Sequence, residues 1–371
     1  MINKFSLLLS LLLVTKTLLA QSDYPTLEIG QTAPDFRLPG VDGKTYTLGD
    51  FKSNILVVIF TCNHCPTAQT YEDRIIALVD QYKKRGVDFV AISPNDPQSV
   101  RLDELGYTDL GDDLEDMKIR AEYKGFNLPY LYDGETEETS RKYGPVATPH
   151  VFIFDQDRKL RYVGNVDDSE EGITPATKHN MRDALDALLA GKTPVIQTTK
   201  TFGCSIKWSD KRESVKKYYE QIYNEEVKLE TIDTNGIQQL IKNDSEKLRL
   251  INVWATWCGP CVAEFPELVR INFMYRNRDF ELITISADNP EKYDQVSKFL
   301  MDNHASTKNY LFDQSNKYAL IEAVNPEWQG AIPYTLLIKP GGEILYVAQE
   351  QIDPLEIKRE IVKVLGRYKD W

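Results

Sequence analysis

Two pairs of cysteines, each separated by two residues, are the part of this sequence best suited to chemistry. They read Cys62-Asn63-His64-Cys65 and Cys258-Gly259-Pro260-Cys261. Disulfide exchange needs a thiolate that attacks and a second thiol that resolves the mixed disulfide, and this spacing supplies both. A pair that closes so small a loop constrains the unfolded chain little, so it would contribute little as a structural crosslink. The spacing therefore predicts two redox centres.

The fifth cysteine, Cys204, lies between the two pairs and has two possible roles. It is either a third redox partner for the first pair or a buried thiol, and its apolar neighbours Ile206 and Trp208 favour burial.

Structural zinc normally takes four ligands, and the second half has no further cysteine pair to complete such a site. We predict neither a resident metal nor a cofactor.

The whole-chain composition limits the classes of partner. The chain has 371 residues, enough for two ordinary domains, with 42% hydrophobic and 27% charged residues. Its formal net charge of -12 argues against a nucleic-acid partner, because phosphate binding requires an excess of Lys and Arg.

The first twenty residues differ from the rest. Lys4 precedes an apolar run over 5–14, and Ala20 offers a small residue at a plausible cleavage point. The run is shorter than the roughly 20 residues that span a bilayer. We therefore predict a signal peptide over residues 1–20, export to a periplasmic or extracellular location, and no membrane span in the mature protein. Disulfides persist in such compartments.

An internal repeat surrounds the cysteine pairs. Each pair follows an apolar strand, at 54–60 and 248–254, and precedes an amphipathic helix, at 67–85 and 262–277. Further strands and helices follow in the same order, with the cysteine pairs 196 positions apart. The pattern predicts an α/β fold of two domains in tandem, each with a central mixed β-sheet flanked by helices.

The expected boundaries follow from this repeat. They are a first domain over 22–190, a connector with a helix over 191–230, and a second domain over 231–371.

Both halves resemble the thioredoxin superfamily. In the second, Trp254-Ala-Thr-Trp-Cys-Gly-Pro-Cys261 followed by Glu264-Phe-Pro266 resembles the exported TlpA/ResA type of thiol–disulfide oxidoreductase. In the first, Gly30-Gln-Thr-Ala-Pro-Asp-Phe-Arg-Leu38 is similar to redoxin and peroxiredoxin-like members. The resemblance implies two thioredoxin-like domains and an enzyme of the protein-disulfide reductase type. It also implies protein thiols or disulfides as substrates and an upstream redox partner.

Specific roles follow for the cysteines and one carboxylate. A cysteine at a helix start has its thiolate stabilised by free N–H groups and the helix dipole. We expect Cys62 and Cys258 to be the nucleophiles and Cys65 and Cys261 the resolving thiols. The resemblance implies that Glu264 transfers a proton beside the resolving cysteine, while the first half has Ala68 at the position that the cysteine spacing matches.

The resemblance also implies a surface for the substrate. Pro149 and Pro333 match the family's cis-proline, which leaves the backbone edge before it free to pair with an extended substrate. Thr148 and Ile332 precede these prolines and form the expected docking edges. Trp257, next to Cys258, belongs to the expected substrate-binding surface.

The residues between the cysteines are expected to tune the two potentials. His64 places an imidazole beside the first pair and would stabilise its reduced form, whereas Pro260 in the Gly-Pro pair adds no charge. The first centre is therefore expected to be the stronger oxidant.

Three alternatives remain. The first is peroxidase activity. Peroxiredoxins require Pro-x-x-x-Thr-x-x-Cys, with a threonine three residues before the reactive cysteine. Here Cys62 stands three residues before Cys65, and Ile59 stands three residues before Cys62, so neither cysteine has that threonine. Copper handling is the second, because the first pair with His64 or His150 would suit Cu(I), although the spacing Cys-x-x-x-Cys of copper-delivery relatives is missing. An inert scaffold is the third, and two intact cysteine pairs argue against it.

Overall fold

The structure is a computed structural model that describes residues 24–169 and 175–367. The predicted signal peptide, residues 1–20, lies outside the described residues. In the first half the elements are β1 (Arg37–Pro39), β2 (Thr45–Thr47), β3 (Ile55–Phe60), α1 (Pro66–Lys83), β4 (Val87–Ser93), α2 (Leu114–Lys124), β5 (Tyr130–Tyr132), α3 (Glu138–Tyr143), β6 (Ala147–Thr148), β7 (His150–Phe154), β8 (Leu160–Gly164) and α4 (Asn180–Leu189).

Two elements follow in the predicted connector, and the second half begins after them. The connector contains β9 (Cys204–Ser205) and α5 (Arg212–Tyr223). The second half contains β10 (Glu230–Ile232), α6 (Thr234–Lys242), β11 (Leu248–Trp254), α7 (Gly259–Tyr275), β12 (Phe280–Ser286), α8 (Tyr293–Asp302), β13 (Lys308–Phe312), α9 (Lys317–Val324), β14 (Tyr334–Ile338), β15 (Ile344–Ala348) and α10 (Pro354–Leu365).

Each half has its own mixed sheet. The strand order is β5-β4-β3-β7-β8 in the first half and β10-β13-β12-β11-β14-β15 in the second. The strands that lead to the cysteines, β3 and β11, are central and have one parallel and one antiparallel neighbour. Every residue of these two strands is buried, as their continuous apolar patterns predict. The predicted fold of two mixed sheets with flanking helices is confirmed.

The two sheets correspond with an offset that differs from the spacing of the cysteine pairs. The strands β3 and β4 and the helix α1 each begin 193 positions before β11, β12 and α7. The cysteine pairs are 196 positions apart, so they do not occupy equivalent places. Cys65, rather than Cys62, lies at the position of Cys258.

The halves pack against each other through the segment between β4 and α2. Val100, Leu102 and Leu105 of this segment belong to the hydrophobic core of the second half. The hydroxyl of Tyr275 on α7 donates a hydrogen bond of 2.7 Å to the carbonyl oxygen of Thr108. The two halves therefore share buried surface.

A helix that crosses a bilayer must be long and apolar enough to span its hydrocarbon core. Among residues 24–169 and 175–367, no helix is both long and apolar enough to cross a membrane.

Candidate active sites

The second centre lies where β11 leads into α7. Cys258 is the N-cap of α7, and its Sγ accepts a hydrogen bond of 3.2 Å from the backbone N–H of Cys261. The two sulfur atoms form a disulfide of 2.04 Å, with Cys261 buried one turn into the helix. A sulfur at this position faces the unpaired N–H groups of the first turn, which stabilise a thiolate once the disulfide is reduced.

The predicted docking edge lies beside Cys258. The Ile332–Pro333 bond is cis, and the carbonyl oxygen of Ile332 lies 3.6 Å from Sγ of Cys258. The ladder between β11 and β14 ends at Tyr334, and within the described residues no strand pairs with Ile332. Trp257, the residue before Cys258, is 68% exposed. This edge is therefore open to an extended segment of a partner.

Glu264 lies on α7 one turn beyond Cys261 and is only 6% exposed. One carboxylate oxygen accepts from Nδ2 of Asn252 at 3.0 Å, and the other accepts from the backbone N–H of Ile352 at 2.9 Å. Burial raises the pKa of Glu264, and these two donors only partly offset it. A carboxyl group with a raised pKa is suited to accept and return a proton near neutral pH.

The first centre is built differently, because its helix begins later relative to the cysteines. α1 begins at Pro66, and its N-cap is Cys65, whose Sγ accepts from the N–H of Ala68 at 3.4 Å. Cys62 lies before the helix, and its Sγ is 3.1 Å from the hydroxyl of Thr148. The expectation that Cys62 occupies the helix start is therefore wrong.

The contacts of the cis-proline loop also place Cys65, rather than Cys62, at the position of Cys258. The Thr148–Pro149 bond is cis, and the carbonyl oxygen of Thr148 lies 3.4 Å from Sγ of Cys65. The Ile332 oxygen has the same relation to Cys258. With the offset of 193, Ala68 corresponds to Cys261 and not to Glu264, whose counterpart is Tyr71. The expectation that Ala68 corresponds to Glu264 is wrong, because it followed the cysteine spacing rather than the sheet.

A buried ion pair lies beneath the first centre. Nδ1 of His64 is 2.5 Å from Oδ2 of Asp112, and both side chains are buried. Asp112 also accepts from the backbone N–H groups of Asn63 and His64 and from the Asn95 amide. Burial opposes both charges, but their mutual attraction is stronger and raises the pKa of His64 while lowering that of Asp112.

The two thiols of the first centre have opposite pKa shifts. Burial, a hydrogen bond to Cys65 and the charge of Asp112 raise the pKa of Cys62 well above its ordinary value. Burial also opposes ionisation of Cys65, but hydrogen bonds from Cys204 and Cys62 and the charge of His64 lower its pKa well below that value. These directions favour Cys65 as the thiolate, in contrast to the expectation that Cys62 is the nucleophile.

Comparisons with known proteins match each half of the chain to a family model. The AhpC/TSA family model matches residues 29–163, and the Redoxin family model matches residues 223–365. The chain belongs to the AhpC/TSA and redoxin families of thioredoxin-like proteins. Its relatives include proteins named as thiol–disulfide oxidoreductases and a protein named as a peroxiredoxin.

Two relatives illustrate this range. The chain is 29% identical over 120 residues to the thiol-disulfide oxidoreductase ResA of Oceanobacillus iheyensis, covering 32% of this chain and 57% of that protein. It is 32% identical over 114 residues to the putative peroxiredoxin bcp of Helicobacter pylori, covering 29% of this chain and 74% of that protein. The chain thus spans little more than half the length of that ResA.

A solved structure is also similar to half of the chain. It is an uncharacterized conserved protein from Geobacillus kaustophilus, 39% identical, with a TM-score of 0.45. The match covers 50% of this chain and 95% of that one.

In this tandem redoxin-family chain, Cys204 lies against the first centre. It is half-buried, and its backbone N–H donates a hydrogen bond of 3.3 Å to Sγ of Cys65. The neighbours Ile206 and Trp208 are buried, but the prediction of a buried thiol at Cys204 is wrong. Cys204 lies in the two-residue strand β9, just before this buried segment, and stays partly exposed.

Sequence reasoning misses the polar residues that support the first centre. Asp112 and Asn95 lie in segments whose pattern predicts only loop, and their role depends on long-range hydrogen bonds. His150 is a candidate metal ligand from the sequence alone. In the structure its Nδ1 accepts from the N–H of Val146 at 3.3 Å, and its ring packs 4.6 Å from that of Phe152.

A metal-capable group nevertheless exists at the first centre. One ligand atom each from Cys62, His64 and Asp112 lies within 4.8 Å of the others. Both oxygens of Asp112 already accept hydrogen bonds, and the His64 Nδ1 is held by one of them. This arrangement suits an ion pair better than a metal ligand set.

Proposed function

We propose that this chain is an exported thiol–disulfide oxidoreductase whose second centre exchanges disulfides with protein thiols. The observation that supports this most directly is Cys258 at the N-cap of α7, beside the unpaired backbone edge at Ile332. A partner's extended segment would pair with that edge and place its disulfide next to Cys258. The exposed Trp257 would pack against the same segment.

The exchange would proceed in two steps. In the reduced centre the Cys258 thiolate attacks one sulfur of the partner's disulfide, forming a mixed disulfide and releasing the partner's other sulfur as a thiolate. The Cys261 thiol then loses its proton to Glu264 and attacks Cys258, which releases the reduced partner. Pro260, at the second position of the helix, has no backbone N–H and leaves the first turn uncharged. An upstream redox partner would restore the dithiol.

Insulin reduction tests this activity. We expect Cys258→Ser to lose turnover completely, and Cys261→Ala to accumulate a mixed disulfide with the substrate. Circular dichroism of both variants should show that they remain folded. If folded Cys258→Ser reduces insulin at the wild-type rate, the proposal is wrong.

Export is a separate part of the proposal and rests on residues 1–20. Amino-terminal sequencing of the protein recovered from its native cell should start near Gln21. A protein that still begins at Met1 in the cytosol would contradict it.

The first centre is proposed to be the more oxidising of the two. The buried His64–Asp112 pair keeps a positive charge beside Cys65, which stabilises the reduced thiolate form and so raises the reduction potential. Titration of each centre against glutathione, with the other removed by Cys→Ser substitutions, should rank the first centre higher. Equal potentials would contradict this ordering.

A second function, thiol peroxidase, is favoured by one observation at the first centre. Cys65 has a lowered pKa at a helix N-terminus, the place where a thiolate could attack a peroxide. Cys62, three residues earlier, cannot donate the strong hydrogen bond that a threonine hydroxyl would give to the peroxide. A peroxide-consumption assay decides between the two functions, with Cys65→Ser as the control.

A further inference from the structure

The docking edge of the first centre is occupied by the chain itself. β6 and β9 form a short antiparallel ladder in which Thr148 faces Cys204 and Ala147 faces Ser205. In the second centre the corresponding residue, Ile332, has no strand partner within the described residues. The strand β9 therefore lies where an extended substrate would pair at the second centre.

Contacts on both sides fix this strand in place. On one side the backbone N–H of Thr199 donates to the carbonyl oxygen of Val163 at 3.1 Å. On the other, the N–H of Lys207 donates to Oδ1 of Asn95 at 2.9 Å, and Trp208 is buried. These contacts hold β9 against the first half in the folded chain.

A glycine permits the close approach of this strand. Gly203 has a φ of +139°, and a Cβ at this position would lie 2.0 Å from the carbonyl oxygen of Thr148. A side chain here would push the segment away from the docking edge. Residue 203 therefore controls how close Cys204 lies to the first centre.

The sulfur atoms of the first centre are arranged around Cys65. Cys62, Cys65 and Ala68 form a small buried cluster against which Cys204 packs. Cys65 and Cys62 are 0% and 2% exposed, so a folded partner cannot reach them directly. Cys204 is half-buried and is the only one of these three thiols that solvent reaches appreciably.

We propose that Cys204 is the internal exchange partner of Cys65 and carries disulfide bonds between the buried first centre and an external dithiol. This inference rests on the proposed redox function of the first centre. It extends that function by assigning a third thiol and a route to the surface.

The exchange is balanced within the three cysteines. In the oxidised centre, the Cys204 sulfur attacks Sγ of Cys65, so that a Cys65–Cys204 bond forms and the Cys62–Cys65 bond breaks. The electron pair of the broken bond stays on Cys62, which takes up the proton that Cys204 releases. An external dithiol then reduces the Cys65–Cys204 disulfide in two exchanges, leaving all three cysteines as thiols and a disulfide in the partner.

Disulfide mapping of the full-length chain tests this proposal. Trypsin leaves Cys62 and Cys65 together in the peptide 53–74 and Cys204 alone in the peptide 201–207. After oxidation with diamide, Cys62→Ser should yield these two peptides joined by a disulfide. Cys65→Ser, with the same number of thiols, should leave them unjoined.

A second pair of variants separates docking from sulfur chemistry. Gly203→Ala in the Cys62→Ser background should reduce the joined peptides at least tenfold, because its Cβ would lie 2.0 Å from the carbonyl oxygen of Thr148. Gly191→Ala is the matched control, because Gly191 also has a positive φ but no atom lies within 4 Å of the place that a Cβ would take. This control should leave the yield unchanged.

The outcomes distinguish this inference from the proposed function. A Cys62–Cys65 disulfide in the wild type with no joined peptides in Cys62→Ser overturns the role of Cys204 alone. The absence of any disulfide among the three cysteines overturns the redox function of the first centre as well. Equal joining in Cys62→Ser and Cys65→Ser overturns the assignment of Cys65 as the partner.

Discussion

His64 and Asp112 form a buried ion pair, with Nδ1 of the histidine 2.5 Å from Oδ2 of the aspartate. The pair lies directly beneath the sulfur atoms of the first centre, and its positive member lowers the pKa of Cys65. No equivalent charge lies between Cys258 and Cys261, where the sequence has glycine and proline. The two centres therefore differ in their electrostatics as well as in their access to partners.

The His64 charge can be tested by substitution. We expect His64→Gln to raise the pKa of Cys65, because the variant loses a cation near the thiolate. The pH dependence of thiolate ultraviolet absorbance measures this. His304→Gln, which removes a histidine stacked on Tyr223 in the second half, is the control and should leave the curve unchanged.

The identity of the thiolate follows from the helix start. With the second centre removed by Cys→Ser substitutions, Cys65→Ser should abolish thiolate absorbance at neutral pH, whereas Cys62→Ser should retain most of it. The opposite result would restore Cys62 as the nucleophile. Because both variants remove one buried sulfur, each serves as the control for the other.

Glu264 provides a test of proton transfer in the second centre. Glu264→Gln should lower kcat/KM for insulin reduction by about 10²-fold, because a positioned acid–base group typically contributes at least that factor. The variant should also lose the part of the pH profile that depends on this carboxyl. Glu267→Gln, on the same helix and paired with Lys358, should retain both the rate and the profile. An unchanged pH profile in Glu264→Gln would assign this residue a structural role only.

His150 makes the stability of the folded chain depend on pH. Burial lowers its pKa to about 3, whereas an unfolded histidine has a pKa of about 6.5. The unfolded state therefore binds the extra proton between these values, so stability is full above about pH 6.5 and falls as the pH decreases toward 3. At pH 5 the loss is about 2 kcal/mol relative to pH 8.

Urea unfolding at several pH values measures this effect. His150→Gln should be less stable than wild type at pH 8, with a difference that shrinks by about 2 kcal/mol at pH 5. His179→Gln, at the N-cap of α4, is the control for a histidine outside the sheet. A constant difference between wild type and His150→Gln would contradict the linkage.

The fold is predictable from the sequence because the apolar strands and amphipathic helices repeat with a clear period. The first centre is misplaced when the two Cys-x-x-Cys motifs are superimposed on each other. The strands that begin at Val87 and Phe280 already have the correct offset of 193, three less than that of the cysteines. The strand spacing is the better guide, since a sheet tolerates no slip in register without exposing its core.

The rest of the first site could not be predicted from local pattern. Cys204 reaches Thr148 across 56 positions of chain, and Asp112 reaches His64 across 48. Such contacts depend on how the loops fold over the sheet, and no periodicity in the sequence encodes them. Pro149, Pro333 and Glu264 are easier to place, because the resemblance to the thioredoxin superfamily implies their positions.

The segment that contains Val100, Leu102 and Leu105 completes the core of the other half. Removing the first half would uncover an apolar surface on α7, and removing the second would leave these three side chains in water. Neither half is thus an interchangeable module. We expect the chain to melt in one cooperative transition, so that damage to either half compromises both redox centres at once.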